Sequence, residues 1–324
     1  MTRLGLDVIT TINTHTIDDR FLNELVIHGA SVMRVNGAHV RPDQIPRAVE
    51  LIRSACGRAV RILVDLPGNK VRTRGLPQDV TLHRGERFEL GAEHFSVETF
   101  LRCLKEGDVV VSSDGQLTMV VEAVDPERVS FLALCDGRLL NNKGVHLPRA
   151  SLVDMPLLLE EDRALLDASV RSGVDFVGFS FVRTAEDAEA AYRVLDGTGV
   201  TPIIKLETKE ATALETVDAI LARAEIVLID RGDLASEVGI AAFPLVFNRT
   251  LEKAVAVGRT VFVATQLFAS MVDHNLPYLS EVIEFHRLAN SGIRGVQLSE
   301  EIAVGRHPLE VLKLIAALTG EAAG

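Results

Sequence analysis

Residues 202–234 constrain the fold of this chain more than any other stretch. Two short apolar runs, 202–206 and 226–229, flank a polar segment of helical spacing, and each run ends in charge. Short apolar runs bounded by charge are the pattern of buried parallel strands, and the segment between them is the crossover helix. Residues just beyond the strand ends of such a sheet line its active face. Here they are Lys205 and Glu207 after the first run, then Asp230, Arg231 and Asp233 after the second. Carboxylates beside an ammonium are what a divalent metal and an anionic substrate need together.

The same alternation runs through the chain. Strands are expected at 4–11, 30–35, 59–66, 176–181, 202–206, 226–229, 260–264 and 295–298. Helices are expected at 42–56, 160–172, 185–195, 209–223, 244–257, 278–290 and 308–318. A further helix follows the first strand, capped by Thr16 or Asp18, with Phe21, Leu22, Leu25 and Val26 on its buried face. Between about 73 and 148 the rhythm changes to short β-type runs at 80–82, 87–90, 109–112, 117–124 and 129–133. Turn signals such as Arg84-Gly85, Asp114-Gly115 and Asp136-Gly137 separate them. The pattern predicts an α/β fold, a (β/α)8 TIM barrel made of residues 1–72 and 149–324. An inserted small all-β lid domain, 73–148, follows its third strand. A doubly wound open sheet is the alternative, but no Gly-x-Gly-x-x-Gly turn supports it.

Composition narrows the partners. A net charge of −11 argues against nucleic acid or an anionic membrane as the main partner. Cys56, Cys103 and Cys135 lack metal-ligand spacing, and a sparse odd count suggests a reducing compartment. The N-terminus lacks a signal-peptide pattern, and no apolar run approaches the roughly 20 residues that span a bilayer. A cytoplasmic protein acting on a small molecule is expected, with the oligomeric state, a homo-oligomer included, left open.

In a barrel, the strand-end residues converge on one rim: Thr11; Arg34 and Asn36; Asp65, Lys70 and Arg72; Ser180 and Arg183. They continue with Lys205 and Glu207; Asp233; Thr265 and Gln266; Ser299 and Glu301. Several of them stand in motifs: Arg34-Val35-Asn36 with His39, Asp65…Gly68…Arg72, Lys143-Gly144-Val145-His146-Leu147-Pro148, and Ser180-Phe181-Val182-Arg183. Others are Ile204-Lys205-Leu206-Glu207, Arg231-Gly232-Asp233-Leu234, Ala264-Thr265-Gln266 with Ser270-Met271, and Leu298-Ser299 with Glu301. In order and spacing this set resembles the pyruvate kinase family over almost the whole chain.

The resemblance implies a phosphotransferase acting on phosphoenolpyruvate or pyruvate, a phosphorylated or 2-oxo-acid substrate. Glu207 and Asp233 would hold Mg2+ or Mn2+ against the substrate carboxylate and enolate oxygen. Lys205 would sit beside the transferring phosphoryl group, Arg34 would bind phosphate, and Thr265 would lie near the carbon that takes up a proton. Arg72 would complete the catalytic set. Backbone N–H groups of Arg231, Gly232 and Asp233 would hold the carboxylate, with Asn36, Asp65, Lys70 and Ser180 also at the substrate. ADP or ATP is the implied co-substrate.

Departures from the family pattern bear on two sites. Ala38 and Leu66 remove oxygen ligands from the monovalent-cation site and leave Asn36 and Asp65, and Val40 replaces a glycine. Lys70 paired with Leu66 resembles members that need no potassium, the ammonium standing between Asn36 and Asp65. On the nucleotide side, Asn13-Thr14, Asn69, Gln297, Glu300 and Ile302 replace family residues. The chain ends near Gly324, so a short, divergent member without the family's C-terminal regulatory domain is expected. A metal-dependent lyase or aldolase working through a pyruvate-type enolate, and a ligand-binding pseudo-enzyme, remain open as alternatives.

Overall fold

The computed structural model describes residues 5–14, 17–76, 80–112, 116–147 and 155–320. Its first part runs β1 (Asp7–Ile12), α1 (Asp19–Ile27), β2 (Ala30–Asn36), α2 (Ile45–Cys56) and β3 (Arg61–Asp65). Seven short strands follow: β4 (Val80–Leu82), β5 (Arg87–Gly91), β6 (Val109–Ser112), β7 (Leu117–Val124), β8 (Arg128–Ala133), β9 (Gly137–Leu139) and β10 (Val145–His146). The alternation resumes with α3 (Glu160–Ser172), β11 (Phe176–Phe179), α4 (Ala185–Leu195), β12 (Thr201–Lys205), α5 (Leu214–Leu221) and β13 (Ile226–Asp230). It continues through α6 (Arg231–Val238), α7 (Phe243–Ala256), β14 (Thr260–Ala264), α8 (Leu279–Ala289), β15 (Gly295–Leu298), α9 (Glu300–Ala303) and α10 (Pro308–Thr319).

Strands β1, β2, β3, β11, β12, β13, β14 and β15 close into one barrel in that order, and every neighbouring pair is parallel. The fold is a (β/α)8 barrel. Ile9, Val32, Leu63, Phe176, Ile203, Leu228 and Phe262 fill its interior. Side chains alternate along a strand, so the inward residues two positions on are Thr11, Arg34, Asp65, Gly178, Lys205, Asp230 and Ala264. The interior therefore turns from apolar to polar within one layer at the C-terminal mouth. A second apolar layer, between barrel and helices, includes Met33, Val64, Leu165, Ala188, Ile229 and Leu251. Asp7, which breaks the apolar pattern of the first strand, opens β1 and pairs with Arg61 and Arg294, each at 2.9 Å.

The inserted segment forms an antiparallel sheet in the order β10-β6-β7-β8-β5, with β4 and β9 paired separately. It has its own core, including Phe95, Phe100, Val110, Met119 and Phe131. Several contacts join it to the barrel. Arg72 bridges Gly144 in strand fashion, His146 Nδ1 lies 2.8 Å from Glu237 Oε1 with both residues buried, and Lys209 donates to the Leu147 carbonyl.

Local differences from the sequence reading have physical causes. Asp18 caps α1, its Oδ1 accepting from Phe21 N at 2.8 Å. The helix expected at 209–223 begins only at Leu214. Thr208 Oγ1 accepts from Ala211 N (3.1 Å) and donates to Val182 O (2.9 Å), and such side-chain bonds hold a turn in place of the helix. Residues 42–44 form a 3-10 turn ahead of α2. Helix α6 is an element that the spacing does not reveal. Leu4, Thr16, Asp114, Gly115 and Pro148 lie outside the described residues. Among the described residues no helix is long and apolar enough to cross a membrane.

Candidate active site

Arg34 at the end of β2, Asp65 at the end of β3 and Lys205 at the end of β12 form one buried charge triad. Arg34 Nε and Nη2 donate to Asp65 Oδ2 at 2.9 and 2.6 Å, and its Nη1 donates to Thr11 Oγ1 at 2.8 Å. The Lys205 ammonium lies 2.9 Å from the same Asp65 oxygen and 3.6 Å from Glu207 Oε2. Burial alone would raise the Asp65 pKa, but Lys205 and Arg34 hold it below the usual carboxylate range. Burial would lower that of Lys205, but Asp65, Glu207 and Asp230 raise it, so the ammonium is firmly charged. Gly178 makes room for this arrangement, since a Cβ there would lie 2.2 Å from Asp65 Oδ1.

Next to the triad, carboxylate oxygens of Glu207, Asp230 and Asp233 lie within 4.8 Å of one another. Glu207 Oε1 accepts from Phe181 N at 2.8 Å, while its Oε2 is buried without a hydrogen-bond partner. Burial, Asp233 and Asp230 push the Glu207 carboxyl up to about 8 in spite of Lys205. Burial would also push Asp233 up, but the Lys70 ammonium bonded to it holds it below the usual range. Asp230 caps α6, its Oδ1 accepting from Gly232 N (3.1 Å), Asp233 N (3.3 Å) and Thr265 Oγ1 (3.0 Å).

Two expected roles meet a different arrangement. Lys70 does not reach the space between Asn36 and Asp65: its ammonium is on Asp233 and 5.7 Å from the Phe181 ring centroid. Asp65 is already bonded by two cations of the chain, whereas Asp233 at the acidic cluster offers Lys70 a stronger field. The N–H groups of Gly232 and Asp233, expected to hold a substrate carboxylate, are given to Asp230. The Arg231 side chain also turns away, donating to the Thr265 and Gln266 carbonyls and to Glu284. That grip sits where Thr265 and Gln266 both have positive φ, +67° and +52°, a costly backbone for residues other than glycine.

The remaining residues surround the triad. Asn36 Oδ1 accepts from Ala38 N at 3.2 Å, and Ser180 is buried just after β11 against Gly68. Arg72, at the entry to the lid, donates to the Asn142 carbonyl at 3.4 Å. His39 lies in the fields of Arg72 and Arg34; burial first, then those two cations, lower its pKa. Arg183 is buried and donates to Asn69 Oδ1, so Asn69 serves to pin its loop. A cleft of about 700 Å³ opens beside the carboxylates, lined by Thr265, Ser299 and Glu301 of the barrel and by Val111 and Thr118 of the lid.

The donor set fits a divalent ion. Three convergent carboxylates, one with an orphaned buried oxygen, are an all-oxygen donor set of the kind Mg2+ and Mn2+ prefer. Asp230, one of the charges the sequence places at the active face, is the member not assigned to the metal there. Its strand period places it in the polar layer with Lys205, and that signal is in the sequence. Glu237 and His146 gave no comparable sign, because their pairing depends on how the lid sits on the barrel.

A barrel whose mouth is charged in this way and roofed by a β lid defines a class of enzyme, the lidded (β/α)8 barrels. Residues 5–312 match the family model described as "Pyruvate kinase, barrel domain". The pyruvate kinase of Mycobacterium tuberculosis is 34% identical over 97% of this chain and 69% of its own length. That of Thermotoga maritima is 29% identical over 97% of this chain and 70% of its own. That of Corynebacterium glutamicum is 33% identical over 89% of this chain and 63% of its own. The chain belongs to the pyruvate kinase family.

Proposed function

We propose that the protein transfers the phosphoryl group of phosphoenolpyruvate to a nucleoside diphosphate, ADP, leaving pyruvate. The carrying observation is the Lys205 ammonium, held charged between Asp65 and Glu207 and facing the carboxylate cluster. In the transfer the bond from phosphorus to the enol oxygen breaks and a bond to the acceptor oxygen forms, and the enolate then takes a proton at its methylene carbon. Charge develops on the enol and phosphoryl oxygens, and a pre-oriented ammonium lowers the barrier because no solvent must reorganise. Arg34 is fixed by Asp65 and Thr11, and each terminal nitrogen of its guanidinium retains an N–H for a phosphate oxygen. Thr265, anchored by Asp230 and Gly232, stands at the cleft where the methylene carbon would lie. Mg2+ or Mn2+, held by Glu207 and Asp233, would supply Lewis-acid charge to the carboxylate and enolate oxygens. Lys70 must then leave Asp233, and Arg72 extends the cationic side toward the acceptor.

Potassium is not required in this reading. Ala38 and Leu66 offer no side-chain oxygen to a monovalent ion, and Arg34 and Lys205 already neutralise Asp65. The support is this double neutralisation and not the position of Lys70. At constant ionic strength, activity is expected to be flat as KCl replaces NaCl. Several-fold activation by potassium contradicts it.

The test compares Lys205→Met and Glu207→Gln by turnover and by binding of phosphoenolpyruvate. Lys205→Met should cut turnover roughly 10²–10³-fold with a smaller loss of binding, since its charge is needed most in the transition state. For an enolate lyase the metal carries that charge. Unchanged phosphoenolpyruvate-dependent turnover in Lys205→Met, with none in Glu207→Gln, replaces the kinase reading by the lyase reading.

A further inference from the structure

Asp230 brings a carboxylate to the rim that the reading above uses only to anchor Thr265. We propose that Asp230 is a third carboxylate of the divalent-metal site, giving the ion its charge and its free oxygen, Oδ2; this rests on the reading of Glu207 and Asp233 as ligands. The bland explanation is an N-cap. Capping and the anchoring of Thr265 employ only Oδ1, which takes all three of its hydrogen bonds. A cap is served as well by serine or asparagine, so capping alone does not explain a negative charge here. That charge is costly where it stands, because it lies beside Glu207, which is fully buried, and Asp233.

An ion resolves the conflict. The three residues' oxygens are within 4.8 Å of one another, and oxygen ligands around one Mg2+ or Mn2+ stand about 3 to 4 Å apart, a small adjustment away. Glu207 Oε2 independently marks the place, being buried without a hydrogen-bond partner. Lys70 marks it again by bringing the chain's own cation to Asp233. Mg2+ dehydrates reluctantly and usually takes one or two carboxylates, so a third favours Mn2+.

The experiment titrates the EDTA-treated full chain with Mn2+, followed by calorimetry and by the electron paramagnetic resonance of free Mn2+. Asp230→Asn keeps an oxygen for the cap and for Thr265 and removes only the charge. It should weaken Mn2+ binding at least about 10-fold, with the metal-free melting temperature within about 2 °C of the parent. Asp230→Ser, a cap of different shape, should show the same weakening and carries the test if the asparagine variant does not fold. Glu207→Gln should also weaken binding. Parental Mn2+ affinity in both Asp230 variants, with loss in Glu207→Gln, overturns the inference and leaves the metal reading standing. No Mn2+ binding by the parent, or none lost in Glu207→Gln, removes the metal reading and this inference with it.

Discussion

Asp65 is bonded to Arg34 and Lys205 through one oxygen, so its charge sets the position of both cations. Replacing it with asparagine takes the carboxylate from the buried Arg34 and the nearer of two from Lys205, which costs about 3 kcal/mol or more. The pH dependence follows from the direction of its shift. The folded-state pKa is depressed, so its contribution to stability is present above the unfolded value of about 4 and is lost as pH falls through the folded value. In urea unfolding, the gap between the parent and Asp65→Asn should be constant above about pH 5 and close in more acid solution. A gap that stays constant or widens in acid contradicts the triad. At this scale Lys205, Glu207 and Asp233 are legible in the sequence because strand ends fix where they emerge. The destination of Lys70 is not: a long flexible side chain settles by the field around it, here that of the acidic cluster at Asp233.

At the level of elements, a two-residue period explains most of what the sequence reveals. Ile203 and Lys205, or Leu228 and Asp230, are one core residue and one mouth residue of the same strand. Helices α3 and α4 are legible to the residue, and α4 carries its own start signal in the reciprocal bonds of Thr184 and Asp187. Helix α5 is not, because the hydroxyls of Thr208 and Thr212 take up backbone groups that the apolar spacing assigns to a longer helix. The joint between β10 and α6 is also invisible to periodicity. There His146 and Glu237 are buried against each other at 2.8 Å. His146→Ala should leave Glu237 buried without this partner. Amide exchange at 145–147 and across α6 should then quicken roughly 10-fold, with the barrel strands unchanged. Unaltered exchange there means the pair does not hold the lid.

For the whole molecule, the net charge of −11 sits oddly with a substrate expected to carry phosphate, and the site resolves this by segregation. Arg34 and Arg72 gather on the β2–β3 side around His39, while Asp230 and Asp233 of the acidic cluster line the cleft with Glu300 and Glu301. Barrel and lid follow from the rhythm of the chain, whereas the choice of acceptor depends on loop residues such as Asn69 and Glu300 that no period governs. The central claim is that this mouth carries phosphoryl transfer from phosphoenolpyruvate. It is tested most directly by measuring pyruvate formed from phosphoenolpyruvate and ADP by the full chain with Mn2+ or Mg2+. The prediction is pyruvate and ATP in equal amounts, abolished by EDTA and restored by either metal. Binding of phosphoenolpyruvate with no pyruvate formed from any nucleoside diphosphate would contradict it.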